Sequence, residues 1–165
     1  MTFWKLYDRL EWGIGLLALV ATVLAVLAAA VGRSMGMPLT SAPQFALFFL
    51  IWTVMFGADL AMKSGAHIRV SALPDIAPPA IRTGLAAFHG VLMLAFLAFV
   101  AYHGWELSMS NWERELGASG LSYGTVTLAV PIGSALLALS LFRRLVAQGA
   151  AGAFTPDADV PEEIL

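Results

Sequence analysis

Four long runs without a charged residue constrain what this chain can fold into. They cover residues 12–32, 34–58, 83–105 and 116–142. Each run exceeds the roughly 20 residues, about 30 Å of helix, that cross a hydrocarbon core. A segment in lipid must satisfy its own backbone hydrogen bonds, so runs of this length predict helices. The chain is therefore predicted to be an all-α integral membrane protein with four transmembrane helices.

Turn-forming residues refine these boundaries. Pro78 and Pro79 suit the first turn of a helix, so the third span is predicted to begin there. Pro131 lies inside the fourth span and is predicted to kink it. The sequence divides into a membrane domain, residues 1–148, and an acidic tail, residues 149–165, which is predicted to be disordered. The spans are predicted at about 12–32, 39–62, 79–105 and 120–144.

Composition and charge support a lipid environment and set an orientation. The chain is 59% hydrophobic and 12% charged, and its net charge of −2 gives no basic footprint for nucleic acid. It has no cysteine, which excludes disulfides and thiolate chemistry. Seven basic residues fall on one side of the predicted spans, so the positive-inside rule places both termini in the cytoplasm. These residues are Lys5, Arg9, Lys63, Arg69, Arg82, Arg143 and Arg144.

The string MKSGAHIRV, residues 62–70, is a polar segment at the end of the second span. Asp59 and Lys63 are spaced i and i+4, which favours an ion pair. We expect this pair at the membrane interface, with Lys63 reaching the headgroups; an ion or proton site at Asp59 is the alternative. The residues that follow, with His67 and Arg69, predict a short helix along the membrane plane, interrupted at Pro74. We interpret this segment as an anchor for subunit docking.

The second span also carries an aromatic stripe at helical spacing. Such a stripe usually packs on protein or lipid, and here it is interpreted as a face for a partner helix. Small residues at four-residue spacing, such as Ala129 and Gly133 in the fourth span, predict close helix contacts. The stripe consists of Phe45, Phe48, Phe49, Trp52 and Phe56.

Two histidines of the third span raise the possibility of haem. His89 and His103 are 14 residues apart and so lie on one helix face, a spacing that suits the ligands of two haems. Each haem needs a second histidine, and only His67 remains. The pattern therefore favours no cofactor in this chain. No nucleophile with a base partner and no paired carboxylates within a span are present, so catalysis is not expected.

The string FLIWTVMFGADLAMKSGAHIRV, residues 49–70, resembles a known family. It is similar to the small membrane subunit, the DctQ-like component, of tripartite ATP-independent periplasmic (TRAP) transporters. The shared features are Trp52, Gly57 with Ala58, and the basic string that ends in residues 67–70. Arg33 and the element VPIG, residues 130–133, match more loosely. The chain departs from the family where Pro43 and Gln44 replace an acid that often enters the second span.

The resemblance implies a division of labour among three proteins. A large multi-spanning subunit would hold the substrate and sodium sites and move by an elevator motion. A periplasmic substrate-binding protein would deliver an organic acid. This chain would be a non-enzymatic scaffold in the bacterial inner membrane, in contact with membrane lipids and the large subunit. Residues expected to contact the binding protein lie in the second outer loop: Glu106, Glu113, Arg114 and Glu115.

Two other functions remain open from the sequence. One is a haem-binding membrane redox subunit, and the other is a stand-alone small channel or carrier.

Overall fold

The computed structural model describes residues 2–64 and 78–154. Its helices are α1 (Thr2–Ser34), α2 (Ala42–Lys63), α3 (Pro79–Ser110), α4 (Tyr123–Thr127) and α5 (Ala129–Gly152). Four segments are long and apolar enough to cross a membrane: α1, α2, α3, and α4 together with α5. The predicted all-α fold with four transmembrane helices is therefore confirmed. The predicted interfacial helix falls at residues 65–77, outside the described part of the chain.

Prolines mark where two helices begin. Pro43 lies in the first turn of α2, and Pro79 is the first residue of α3. The missing N–H of proline costs nothing there, because the first amides of a helix have no partner within it. The amide of Arg82 then donates to the carbonyl oxygen of Pro78 at 3.0 Å, which closes the first turn of α3.

A proline also explains the break between α4 and α5. Pro131 has no N–H to donate to the carbonyl oxygen four residues earlier, at Thr127, where α4 ends. Leu128 stands between the two helices and remains hydrogen-bonded to both sides. Its amide donates to Gly124, and its carbonyl oxygen accepts from Ile132. The kink predicted at Pro131 thus takes the form of a short break one turn before it.

The long helices form a single layer instead of a closed bundle. Their order across the layer is α1, α2, α5, α3. Among the described residues α1 packs along its length on α2 and meets α5 at its start through Arg143, while α3 packs on α5 and α4. The two edge helices therefore leave most of their surface uncovered.

A glycine permits close approach at each of the three long interfaces. A Cβ atom at Gly15 would lie 3.2 Å from the Cβ of Phe56, and one at Gly133 would lie 2.6 Å from the sulfur of Met55. At the α3–α5 contact, a Cβ at Gly104 would lie 3.1 Å from the ring of Pro131. In lipid, where hydrophobic burial does not drive helix association, such close packing is a main source of stability.

The end of α5 folds back on the layer. Gly149 has φ 72° and ψ 171°, a backbone conformation that glycine adopts without strain, and it breaks the helix. Ala153 is 2% exposed, and the ring of Phe154 packs edge-on against His89 of α3, with 6.0 Å between ring centroids. The tail predicted from residue 149 is thus packed as far as Phe154. Residues 155–165 lie outside the described residues.

Candidate functional site

A charged cluster joins α1 and α2 at the end of the layer where α2 finishes, which we call the Lys63 end. The Lys63 ammonium lies 3.1 Å from Asp59 Oδ2 and 3.1 Å from Asp8 Oδ1, and it also pairs with Glu11. It sits over the ring of Tyr7, 4.3 Å from the centroid. The predicted Asp59–Lys63 ion pair is therefore formed, but Lys63 also pairs with two further carboxylates, those of Asp8 and Glu11. We call Tyr7, Asp8, Glu11, Asp59 and Lys63 the Lys63 cluster.

The inner part of the Lys63 cluster is buried between the helices, while the side chain of Asp8 is 40% exposed. The side chain of Asp59 is 0% exposed, that of Glu11 3% and that of Lys63 16%. Burying a charge is costly unless it is paired, and Lys63 supplies the pairing charge for both acids. The ammonium of Lys63 turns into the α1–α2 interface, and its contact with the headgroups stays a prediction. Lys63 thus acts as a shared counterion that holds α1 and α2 together.

Two arginines of α5 extend the ionic contacts. Arg143 lies 3.6 Å from Asp8 and stacks over the ring of Trp4 at 3.8 Å. Arg144 is buried, and its guanidinium donates to the main-chain carbonyl oxygen of Lys63, to that of Ala153 at 2.9 Å, and to Gln148. The α5 helix is thereby connected to the start of α1, to the end of α2 and to its own folded-back end.

Sequence reasoning identified Asp59 and Lys63 but not the acids of α1. Asp8 and Glu11 precede the first uncharged run, and nothing in their local pattern sets them apart from solvated residues. A signal was present in the topology. Consecutive antiparallel spans place the start of α1 beside the end of α2. Acids at the start of α1 can therefore pair with a base at the end of α2. The spacing of Asp8 and Glu11, i and i+3, also puts both on one helix face.

The aromatic stripe of α2 continues into the Lys63 cluster on the same helix face. Its rings contact one another, with centroid distances of 6.4 Å for Phe48–Trp52 and 5.8 Å for Trp52–Phe56. All five stripe residues are half-buried, and Phe56 packs against Gly15 of α1. At this end the stripe thus faces α1 of the same chain. The exposed face of α2 is a different one, with Leu47, Leu50 and Val54.

The residues predicted to touch a binding protein lie together at the other end of the layer. Glu113, Arg114 and Glu115 are exposed in the segment between α3 and α4. Main-chain hydrogen bonds fold this segment into a small hairpin: Tyr123 donates to the carbonyl oxygen of Arg114 at 2.7 Å, and Arg114 stacks over the Tyr123 ring at 4.8 Å. Glu106 lies near the end of α3. The structure thus holds the charges of this segment at the surface, at the end of the layer opposite the Lys63 end.

The two histidines of α3 have separate surroundings. His103 Nδ1 lies 3.0 Å from Glu106 Oε2, as expected for a neighbour at the interface, and His89 packs on Phe154. Within residues 2–64 and 78–154 no other helix carries a histidine that would complete a haem site. The same residues contain no group of three metal-binding side chains that could hold an ion. His67 and Arg69, the remaining predicted docking residues, lie outside the described residues.

Comparison with known proteins supplies a family. The profile of the family described as tripartite ATP-independent periplasmic transporters, DctQ component, matches residues 17–149. No curated protein matches the chain. The matched range includes all of α2, α3 and α4, together with most of α1 and α5. It begins after Asp8 and Glu11, so the α1 half of the Lys63 cluster lies beyond the match.

Proposed function

The chain belongs to the DctQ component family of TRAP transporters, and we propose that it is the membrane scaffold that stabilises the large substrate-translocating subunit. The family is a transporter component and not an enzyme. On this proposal a periplasmic binding protein delivers an organic acid, sodium couples transport in the large subunit, and this chain binds no cofactor. The Lys63 end faces the cytoplasm of a bacterial inner membrane, in keeping with the positive-inside rule.

The open helical layer is the observation that carries the proposal. A helix packed along its length on one neighbour, as α1 is on α2, leaves a wide apolar surface for lipid or another protein. The buried charged groups of α1 and α2 are meanwhile committed to contacts inside the chain, as the Lys63 cluster illustrates. A rigid part with broad open faces and internally neutralised charge suits a scaffold. A carrier would instead need an accessible polar path.

Co-expression tests the proposal. The full-length chain is expressed with the large subunit and the binding protein of its own transporter and reconstituted in liposomes. We expect the chain to co-purify with the large subunit, and uptake to require all three proteins. A homo-oligomer that transports alone would instead establish a stand-alone carrier. A visible absorption spectrum with haem bands would establish a redox subunit.

The segment outside the described residues needs its own variant. We expect alanine at His67 and Arg69 to lower recovery of the large subunit or uptake, because the string is proposed to anchor the docking surface. Intact complex and normal uptake in this variant would contradict the docking role of the string but not the scaffold role of the chain.

A further inference from the structure

Two cations of α1 at the Lys63 end are left outside the ionic contacts described above. Lys5 and Arg9 are exposed on α1, and neither forms an ion pair with a residue in the described ranges. Lys63, Arg143 and Arg144 at the same end all bind protein groups. Lys5 and Arg9 therefore present positive charge to whatever surrounds α1.

The Lys63 cluster explains why the acids of α1 do not neutralise these bases. Asp8 is three residues from Lys5, a spacing at which an ion pair on a helix is favourable. Its carboxylate is instead held by Lys63 at 3.1 Å and by Arg143 at 3.6 Å. Glu11 is committed to Lys63 as well. The acids thus turn toward α2 and α5, and the bases remain on a separate face.

That face continues as an amphipathic strip along α1. Lys5, Arg9 and Trp12 follow at i, i+4 and i+7, which places them on one side of the helix. Trp12 is 59% exposed, and the next residues on this side, Leu16 and Leu19, are exposed as well. The strip is exposed, since α1 meets α2 and Arg143 of α5 through other residues, such as Asp8, Glu11 and Gly15.

The dimensions and chemistry of the strip match one phospholipid molecule. Ten residues separate Arg9 from Leu19, about 15 Å of helix and half of the roughly 30 Å hydrocarbon core. The two cations suit a phosphate, the indole of Trp12 suits the boundary between headgroups and chains, and the aliphatic residues suit an acyl chain. An acidic protein segment would match the cations but would leave the aliphatic continuation unexplained.

We propose that Lys5, Arg9 and Trp12, with Leu16 and Leu19, form a binding site for an anionic phospholipid on the outer edge of α1. The proposal requires only that the chain is inserted in a membrane, so it stands or falls separately from the scaffold function. The site holds the lipid through charge at its headgroup and through van der Waals contact along one chain.

Native mass spectrometry of the full-length chain tests the site. The protein is purified and exposed to micelles doped with phosphatidylglycerol or with phosphatidylcholine. We expect retention of phosphatidylglycerol over phosphatidylcholine, and an affinity about tenfold lower in the double variant Lys5→Gln, Arg9→Gln, because each base near an anionic lipid contributes to binding. Trp12→Ala is expected to lower the affinity for both lipids by the same factor.

The matched control is the double variant Arg33→Gln, Arg114→Gln. It removes the same charge at the opposite end of the layer and is expected to retain the lipid. Equal retention in the two double variants, or no preference for phosphatidylglycerol in the unaltered chain, would overturn the proposal. So would loss of the bound lipid on addition of the large subunit, since the strip would then be a protein interface.

Discussion

Arg144 donates a hydrogen bond from its guanidinium to the main-chain carbonyl oxygen of Lys63, while the ammonium of Lys63 turns away to the carboxylates of α1. The last residue of α2 is therefore held from two sides, through its backbone by α5 and through its side chain by α1. A helix leaves its last carbonyl groups without partners, and a cation near them also favours the helix dipole. This junction connects three of the four long helices at one point.

The first prediction concerns the cation shared by α1 and α2. Lys63→Met should lower the free energy of unfolding by roughly 3–5 kcal/mol, because it leaves buried carboxylates without their counterion. Thermal unfolding of the detergent-solubilised chain measures the change. Arg82→Met removes an exposed cation of α3 and is expected to change the melting temperature little.

A rescue separates lost pairing from general damage at Lys63. Adding Glu11→Gln and Asp59→Leu to Lys63→Met replaces buried charges with neutral groups, which is often neutral or stabilising. The triple variant should recover most of the lost stability. A triple variant less stable than Lys63→Met would contradict the counterion role.

The junction itself gives the second prediction. Arg144→Lys keeps the positive charge. A lysine ammonium cannot donate at once to the carbonyl oxygens of Lys63 and Ala153 as the planar guanidinium does. We expect a loss of about 1–3 kcal/mol and faster hydrogen exchange at the amide of Ala153, which donates to Gly149 in the folded-back segment. Exchange mass spectrometry over residues 149–154 provides the measurement. Arg82→Lys is the control, and unchanged protection of Ala153 in Arg144→Lys would refute the bridging role.

The third prediction tests the α1–α2 contact directly. The chain has no cysteine, so any disulfide in a variant must join the two cysteines that were introduced. Gly15→Cys with Phe56→Cys should form a disulfide under mild oxidation, because a Cβ at Gly15 lies 3.2 Å from that of Phe56. Gly13→Cys with Phe56→Cys should not, since no described atom outside its own stretch of α1 lies within 4 Å of a Cβ at Gly13. Gel mobility with and without reductant distinguishes the two outcomes, and equal cross-linking would contradict the helix register.

The fourth prediction concerns the glycine between α2 and α5. Gly133→Ala should destabilise the chain by about 1–3 kcal/mol, because the new methyl group would meet the sulfur, Cγ and Cβ of Met55, all within 2.8 Å. Gly57→Ala is the matched control on α2, where no described atom lies within 4 Å. There alanine should stabilise the helix by about 1 kcal/mol. Melting temperatures that move in the same direction would refute the packing argument.

The fifth prediction tests the hairpin after α3. Glu113→Lys with Glu115→Lys should slow uptake about tenfold at low ionic strength, because reversed charge would oppose the encounter with the binding protein. Insertion and stability should be unchanged, since both side chains are exposed. Ala118→Lys adds charge in the same hairpin without removing an acid and should have a smaller effect. Uptake equal to that of the unaltered chain would remove these residues from the contact surface.

The ion pairs of Lys63 include one that a local sequence pattern predicts and one that it does not. The pairing of Asp59 with Lys63 follows from a spacing of four residues on one helix, and the sequence predicted it. The contact of Lys63 with Glu11 joins residues 52 positions apart. No local periodicity encodes it, because it depends on which helix lies beside α2 and in which register.

The aromatic stripe makes the same distinction for the packing faces. Helical spacing placed Phe48, Trp52 and Phe56 on one side of α2. It did not tell whether that side faces lipid, a partner or α1, since all three environments are apolar. Packing against Gly15 decided the matter at the end near Lys63.

The sequence by itself determined the four membrane-spanning helices and the family signature, because hydrocarbon thickness and backbone hydrogen bonding require long apolar helices. Only the tertiary structure decided that the helices form an open layer in the order α1, α2, α5, α3. Helix association in lipid depends on close shape complementarity and on a few polar contacts, such as those of Gly133 and Lys63, which hydropathy does not record.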